Sequence, residues 1–318
     1  MRLEELLDRS EGRGLRKLGR AELQEIALLY RQAAADLSTL RQDPSGGAYT
    51  RFLAQLLRRA HNVIYSGERG SAAAVLRFFT QEYPEIFLRN LNFTVAAFAL
   101  FLLGLVIGTV VTFHDPDFPL RVLGPQMMKT IERREMWTHS IVAIKPVASS
   151  AITTNNLSVA FMMFAGGVAG GLLTAIMALF NGILMGVIAS ACWMSGMSLK
   201  LWSFVAPHGA LELPAIFIAG GAGLRLGYGL LFPGFLPRRD ALVLAGAEAV
   251  RLLLGVVPML ILAGAVEGFF SPTAVPYSLK FLTAAALFLL LLTYLFSPWL
   301  RVFEPRAGRA LSATGTAR

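Results

Sequence analysis

Apolar residues recur every three or four positions through much of the first 90 residues, which is the spacing of one face of an α-helix. One such series contains Leu23, Ile26, Tyr30, Ala34, Leu37 and Leu40, and a second runs from residue 49 to residue 64. The turn-forming residues 43–47, Asp-Pro-Ser-Gly-Gly, separate the two helices. A third predicted helix, residues 71–90, mixes apolar residues with arginines, which is typical of a helix lying along a membrane surface. Residues 1–90 are therefore predicted to form a cytoplasmic or interfacial helical region.

The pattern changes at residue 91, where long apolar segments begin. About 20 apolar residues cross the ~30 Å hydrocarbon core of a bilayer. Six segments have this length, and we predict them as membrane spans: residues 91–113, 158–180, 183–202, 208–232, 241–266 and 278–300. Asn181-Gly182 separates the second span from the third, which predicts an antiparallel hairpin with a tight turn. The predicted fold class is an all-α polytopic membrane protein, with a six-helix transmembrane domain over residues 91–300.

Polar segments complete this organisation. Residues 114–157 are predicted to be a long outer loop, with an amphipathic helix near residues 125–137. Residues 301–318 are polar and basic and are predicted to be a disordered tail. The pairs Gly166-Gly167 and Gly170-Gly171 lie in the second predicted span, where small residues allow close helix contact.

Composition and charge agree with a membrane protein. Apolar residues make up 55% of the chain and charged residues only 15%, whereas soluble domains carry about 25% charged residues. The net charge of +9 is concentrated in the N-terminal region, the loop containing Arg238 and Arg239, and the tail. This is the distribution that the positive-inside rule produces, so we expect both termini in the cytoplasm, a bacterial inner-membrane location and no nucleic-acid partner. The single cysteine, Cys192, excludes an intrachain disulfide.

Polar residues lie at the predicted outer ends of several spans. Asn155 and Asn156 precede the second span, and His208 and Glu212 open the fourth. Residues four positions apart share one helix face. Glu267 ends the fifth span, and six passes through the membrane would bring all these residues to the same side. Ionisable residues in a membrane span are functional-site candidates, so we predict that these residues form an outer polar cluster.

Three roles for the outer polar cluster remain open at this stage. It could be a structural plug that joins helix ends, or a site for an ion, a small polar ligand or a lipid headgroup. It could also be catalytic, with His208 as the base and Glu212 or Glu267 as a metal ligand or orienting group. Because the chain has no His-Glu-x-x-His motif, we predict no metal and no cofactor.

A second set of charged residues is predicted at the inner side. Arg225 lies ~25 Å along the helix from His208, and Glu248 lies ~28 Å from Glu267. Because the fourth and fifth spans are antiparallel neighbours, Arg225 and Glu248 reach a similar depth. We predict a structural ion pair between them that Arg251 shares.

Five motifs carry a resemblance to a known family. They are residues 52–65 (FLAQLLRRAHNVIY), 152–156 (ITTNN), 181–182 (NG), 208–213 (HGALEL) and 267–272 (EGFFSP). Together they resemble the stage II sporulation protein M family of integral membrane proteins, over nearly the whole chain. The family's sporulation protein works with peptidoglycan-degrading partners during engulfment. The long N-terminal region and extended first loop resemble the larger, non-sporulation branch, and the resemblance transfers no catalytic residues.

The predicted function is non-enzymatic. We expect a scaffold or assembly factor for envelope or membrane-remodelling machinery, with membrane lipids, envelope proteins and further copies of the chain as partners. The alternatives are a transporter, channel or lipid-binding protein that uses the outer polar cluster and, third, an intramembrane hydrolase.

Overall fold

The computed structural model describes residues 2–10, 18–40, 47–65, 72–135 and 145–302. These residues contain no strand, which confirms the all-α class. The helices are α1 (Arg2–Ser10), α2 (Arg20–Leu40), α3 (Gly47–Tyr65), α4 (Ala72–Arg77), α5 (Tyr83–Arg89), α6 (Leu91–His114), α7 (Phe118–Glu132), α8 (Lys145–Ala165), α9 (Leu172–Met194), α10 (Ser198–Leu231), α11 (Arg238–Ala265), α12 (Tyr277–Leu295) and α13 (Ser297–Val302). The predicted tail beyond residue 302 and the loop residues 136–144 lie outside the described residues.

The chain divides into two compact units, Met1–Phe78 and Phe79–Arg318. In the first unit, α1, α2 and α3 enclose an apolar core that includes Leu3, Leu6, Leu7, Ile26, Leu53 and Ala60. Ion pairs surround this core, and Arg2 Nε lies 3.0 Å from Glu25 Oε1. The hydrogen bond from Arg2 holds the pKa of the Glu25 carboxyl below its ordinary value. The helical period of the N-terminal sequence therefore corresponds to a small helical unit with its own core.

Five helices in the described part of the chain are long and apolar enough to cross a membrane, compared with six predicted spans. They are α6, α9, α10, α11 with its π-helical extension Val266–Phe270, and α12. The remaining long helix, α8, is more polar but runs parallel to α10. Met163 lies beside Gly220, and further along both helices Gly167 lies beside Gly223. Six long helices thus run in alternating directions through the second unit.

The predicted turn at Asn181-Gly182 is wrong, because α9 continues through both residues. Asn181 Nδ2 donates to the carbonyl oxygen of Met177 within the helix, at 2.8 Å. The break falls instead between α8 and α9, where Gly170 and Gly171 have φ angles of 68° and 83°. Side chains with a Cβ rarely adopt this left-handed backbone, so these two glycines form the turn. They were predicted to lie inside a span.

The predicted start of the fourth span at residue 208 is also wrong. Helix α10 begins at Ser198 and continues through Pro207 and Pro214 over 34 residues. The preceding turn contains Gly196, whose φ is 70°. A proline inside a helix removes one backbone hydrogen bond, but the neighbouring helices hold α10 in place. The observed turn at Gly170-Gly171 therefore lies eleven positions before the predicted one, and the observed start of α10 lies ten positions before the predicted span.

Helix α10 lies at the centre of the second unit. Of the residues in the most apolar 18-residue stretch of α10, 56% are buried, whereas 17% are buried in the corresponding stretch of α12. Phe217 on α10 packs against Phe98 on α6 with ring centroids 5.2 Å apart, while Gly221 lies against Thr94. These contacts make α6 and α10 antiparallel. The central position of α10 brings its polar residues into contact with several other helices.

The amphipathic helix predicted near residues 125–137 corresponds to the second part of α7, which begins at Pro125 and ends at Glu132. Its Ile131 packs in a buried cluster with Cys192, Met197 and Leu201, at the end of α9 and the start of α10. Gly124, with φ at 79° and ψ at 165°, has a non-helical backbone and divides α7 into two short helical pieces. The loop therefore covers the end of the bundle at which α6 and α9 end and α10 begins.

Candidate functional site

His208 is the buried centre of the candidate site. Its side chain is 5% exposed, and its Nδ1 lies 3.0 Å from the Ser271 hydroxyl oxygen. The ring of Phe204, one helical turn earlier on α10, meets the imidazole edge-on at 5.2 Å. Because Nδ1 is engaged by Ser271, Nε2 is the nitrogen left to bind another group.

Two carboxylates join His208. Glu212 lies one turn further along α10, and Glu267 lies in the π-helical segment that ends α11. One ligand atom from each of the three residues lies within 4.8 Å of the other two. π-Helical turns are rare and occur frequently at functional sites. The structure therefore brings together the three ionisable residues of the predicted outer polar cluster.

Ser271 and Lys280 support this site, although neither residue was predicted to belong to it. Ser271 is fully buried, and its carbonyl oxygen accepts a hydrogen bond of 2.7 Å from Lys280 Nζ. Lys280 is itself buried near the start of α12. Each residue lies in a short segment around the α11–α12 turn, and only the folded chain shows that Ser271 contacts His208 and that Lys280 contacts Ser271.

The two asparagines predicted for the cluster line a neighbouring cavity. Asn155, Asn156 and Asn181 border a space of about 160 Å³, and Glu212 also lines it. Asn155 Nδ2 donates to Asn156 Oδ1 at 3.3 Å. His208 and Glu267 do not line this cavity, so Glu212 is the residue that links the cavity to the three-residue cluster. Asn181 was predicted in a turn and is an additional amide in the cavity wall.

The site has too little positive charge to balance its two carboxylates. With Glu212 and Glu267 ionised, Lys280 protonated and His208 neutral, these four side chains sum to −1. Carboxylates this close disfavour each other's ionisation, and either a proton on one of them or a cation between them relieves the repulsion. The arrangement can therefore hold a bound cation.

The donor set fits a divalent transition metal. Imidazole nitrogen and carboxylate oxygen are ordinary ligands of Zn²⁺, and three protein ligands leave a coordination position open. In tetrahedral coordination at about 2.0–2.2 Å from one ion, two ligand atoms lie ~3.3–3.6 Å apart. The three groups, now within 4.8 Å, would close by about 1 Å on binding an ion. Rotations about the side-chain bonds of the two glutamates can supply a movement of this size.

Two of the charged residues predicted at the inner side form an ion pair, further along α10 from the His208 cluster. Arg225 Nε donates to Glu248 Oε2 at 3.0 Å. Arg251 was predicted to share this pair. It is exposed on α11, and the described part of the chain shows no hydrogen bond between Arg251 and Glu248.

Comparison with known proteins identifies the family. Residues 85–272 match the family model described as stage II sporulation protein M. This chain belongs to the stage II sporulation protein M family. The matched region extends from α5 to the turn after α11, and it contains His208, Glu212, Glu267 and Ser271. Lys280 and the whole of α12 lie outside it.

The N-terminal region and part of the chain match two further sequences or models. Residues 1–66 match a domain of unknown function, DUF8413, which covers most of the first compact unit. An uncharacterized protein of Methanocaldococcus jannaschii is 39% identical over 79 residues, which is 24% of this chain and 44% of that protein. The chain thus spans less than half of that relative's length. No solved structure matches the chain.

Proposed function

We propose that the protein is a membrane-embedded cation-binding protein whose site is formed by His208, Glu212 and Glu267. The observation that carries this proposal is the approach of their three ligand atoms to within 4.8 Å in the interior of an apolar helical bundle. Two adjacent buried carboxylates are costly to place there without a compensating positive charge. A divalent cation supplies that charge and uses all three groups as ligands.

The cavity beside Glu212 provides the approach to the site. Its asparagine amides offer oxygen acceptors to a hydrated cation and N–H donors to the water around it. Asn155 is exposed and lies ten residues from each end of α8. Because Glu267 follows α11 at the end of the bundle that α7 covers, we expect the ion to exchange with the solution there. The class of function is cation binding and transfer at the membrane.

The test is metal binding by the purified full-length protein in detergent, after chelation, with Zn²⁺ and Mn²⁺ as probes. Wild-type protein is expected to bind about one ion per chain. His208→Ala and Glu212→Gln are expected to weaken binding more than about 100-fold, because a lost ligand costs more than a lost supporting contact. Glu132→Gln is the matched control, since this exposed carboxylate ends α7. Equal binding by all four proteins would contradict the proposal.

A scaffold role for envelope machinery is the second candidate. The observation in its favour is the separate helical unit Met1–Phe78, whose surface carries exposed ion pairs such as Arg2–Glu25. Such a unit suits contact with partner proteins. Deleting residues 1–78 separates the candidates, because a scaffold loses its cellular function while metal binding by the bundle continues.

A further inference from the structure

A second pocket lies at the other end of the bundle from His208. It encloses about 470 Å³ where α6 begins, α10 ends and α11 begins. Its polar wall includes Arg89, Asn92, Arg225, Tyr228 and Glu248. None of these residues belongs to the His208 site, so this pocket needs an explanation of its own.

Arg225 is held in place on two sides. Its Nε donates to Glu248, and its guanidinium carbon lies 5.9 Å from the centre of the Phe93 ring. A guanidinium has five N–H donors, and the bond to Glu248 uses one of them. A fixed, planar guanidinium with remaining donors is the group that proteins use to bind phosphate.

The charge around the pocket favours an anion. Arg89 is exposed in the pocket wall, and Arg238 and Arg239 begin α11 at the same end of the bundle. Of the charged residues that line the pocket, Arg89 and Arg225 are positive and Glu248 is negative, which leaves a sum of +1. Arg238, Arg239 and Asp240 at the start of α11 add a further +1 at the same end of the bundle.

The other wall of the pocket is apolar and exposed. Phe232, Leu236 and Leu244 line it, with 63%, 47% and 56% of their surfaces exposed. These side chains lie at the ends of membrane helices, where acyl chains and headgroups meet. A small soluble anion would use the arginines but leave this wall uncovered.

We propose that the pocket binds an anionic phospholipid, with its phosphate group at Arg89 and Arg225 and its acyl chains along Phe232, Leu236 and Leu244. The site is independent of the proposed cation site, which lies at the opposite end of α10. The positive charge around the pocket attracts a headgroup with a net negative charge. The same charge repels the ammonium group of a zwitterionic headgroup, so an anionic lipid is favoured. The Glu248 carboxylate fixes the orientation of Arg225.

The test is binding of short-chain lipids to the delipidated full-length protein in detergent. The three probes are dihexanoyl phosphatidylglycerol, dihexanoyl phosphatidylcholine and inorganic phosphate. Wild-type protein is expected to bind phosphatidylglycerol at least tenfold more tightly than either other probe. Phosphatidylcholine binding as well as phosphatidylglycerol would overturn the proposal. Inorganic phosphate binding equally well would overturn the assignment of a lipid.

Two variants locate the site. Arg89→Gln changes an exposed side chain, and it is expected to weaken phosphatidylglycerol binding roughly tenfold, as the loss of a charge-assisted hydrogen bond does. The double variant Arg225→Gln with Glu248→Gln removes both charges together and leaves no unpaired ion, and it is expected to have a similar effect. Arg133→Gln at the other end of the bundle is the control. Undiminished binding by both variants would overturn the proposal.

Discussion

At the level of single residues, Ser271 has the most specific supporting role. Its hydroxyl binds His208 Nδ1, and its carbonyl oxygen binds Lys280. A metal-binding histidine normally has its second ring nitrogen fixed by such a partner, which sets the tautomer and the ring orientation. Ser271 is therefore expected to position His208 without touching the ion.

Replacing Ser271 tests this role. Ser271→Ala is expected to weaken metal binding by about 10–100-fold, the usual cost of losing a supporting hydrogen bond to a ligand. The measurement is competition with a chelator of known affinity. Thr273→Ala is the control, because it removes a nearby hydroxyl that bonds the Phe270 carbonyl instead of His208. Unchanged affinity in Ser271→Ala would show that the hydroxyl does not orient the ring.

The residues of the site differ in how visible they are in the sequence. His208, Glu212 and Glu267 stand out because ionisable residues are rare in apolar segments, and alternating spans bring them to the same end. Ser271 and Lys280 do not stand out, because polar residues are ordinary near a helix end. The contact of Ser271 with His208 and that of Lys280 with Ser271 depend on the π-helical turn and the short connection to α12. Neither feature has a sequence signature.

At the level of helices, glycines determine how closely α6 and α9 approach. Gly104 and Gly108 on α6 face Leu179 and Ile183 on α9, while Gly182 on α9 faces Phe101. A Cβ atom at any of these glycines would overlap a backbone carbonyl oxygen of the facing helix. The spacing of four residues places the glycines on one face of each helix, as in other close membrane helix pairs.

Adding a methyl group tests this contact. Gly182→Ala is expected to destabilise the bundle by about 1–3 kcal/mol, because the two backbones must separate. The measurement is the midpoint of thermal unfolding in detergent. Gly246→Ala is the control, since its nearest neighbour would be a Leu226 methyl carbon at 3.9 Å. A midpoint for Gly182→Ala as high as that of the control would contradict the close approach.

The same glycines explain why two span boundaries could not be predicted. Asn-Gly is a strong turn signal, but here Gly182 allows α9 to lie close to α6. Asn181 donates a hydrogen bond to a carbonyl oxygen within α9. Gly170 and Gly171 have the composition of a contact surface, yet they form the turn. Sequence indicates where glycine is needed but does not distinguish a backbone turn from a close approach of two helices.

At the level of the whole molecule, alternation of six helices assigns the two loops Ser195–Met197 and Phe232–Pro237 to opposite faces of the membrane. The six long helices keep the predicted alternation of direction despite the shifted boundaries, although α8 is not among the five that are long and apolar enough to cross a membrane. The all-α polytopic class follows directly from hydrophobic segment length. Helix ends and site contacts require the packed structure.

Cysteine labelling tests this arrangement. In a Cys192→Ala background, Phe235→Cys and Glu132→Cys are expected to react with an impermeant maleimide from opposite sides of the membrane. Both positions are exposed, with Phe235 wholly so. Because Arg238 and Arg239 adjoin Phe235, the positive-inside rule assigns that side to the cytoplasm. Reaction of both cysteines from the same side in intact cells would contradict the alternation.

The helices of the second unit differ greatly in length, and this has a consequence for the surrounding lipid. Helix α10 has 34 residues and is about 50 Å long, whereas α12 has 19 residues and is about 28 Å long. A hydrocarbon layer of ~30 Å matches the short helix closely, but the long one must tilt or extend among the headgroups. Lipids on the α12 side are therefore expected to form a thinner annulus than lipids elsewhere, so that hydrophobic mismatch would orient the protein within a membrane of uneven thickness.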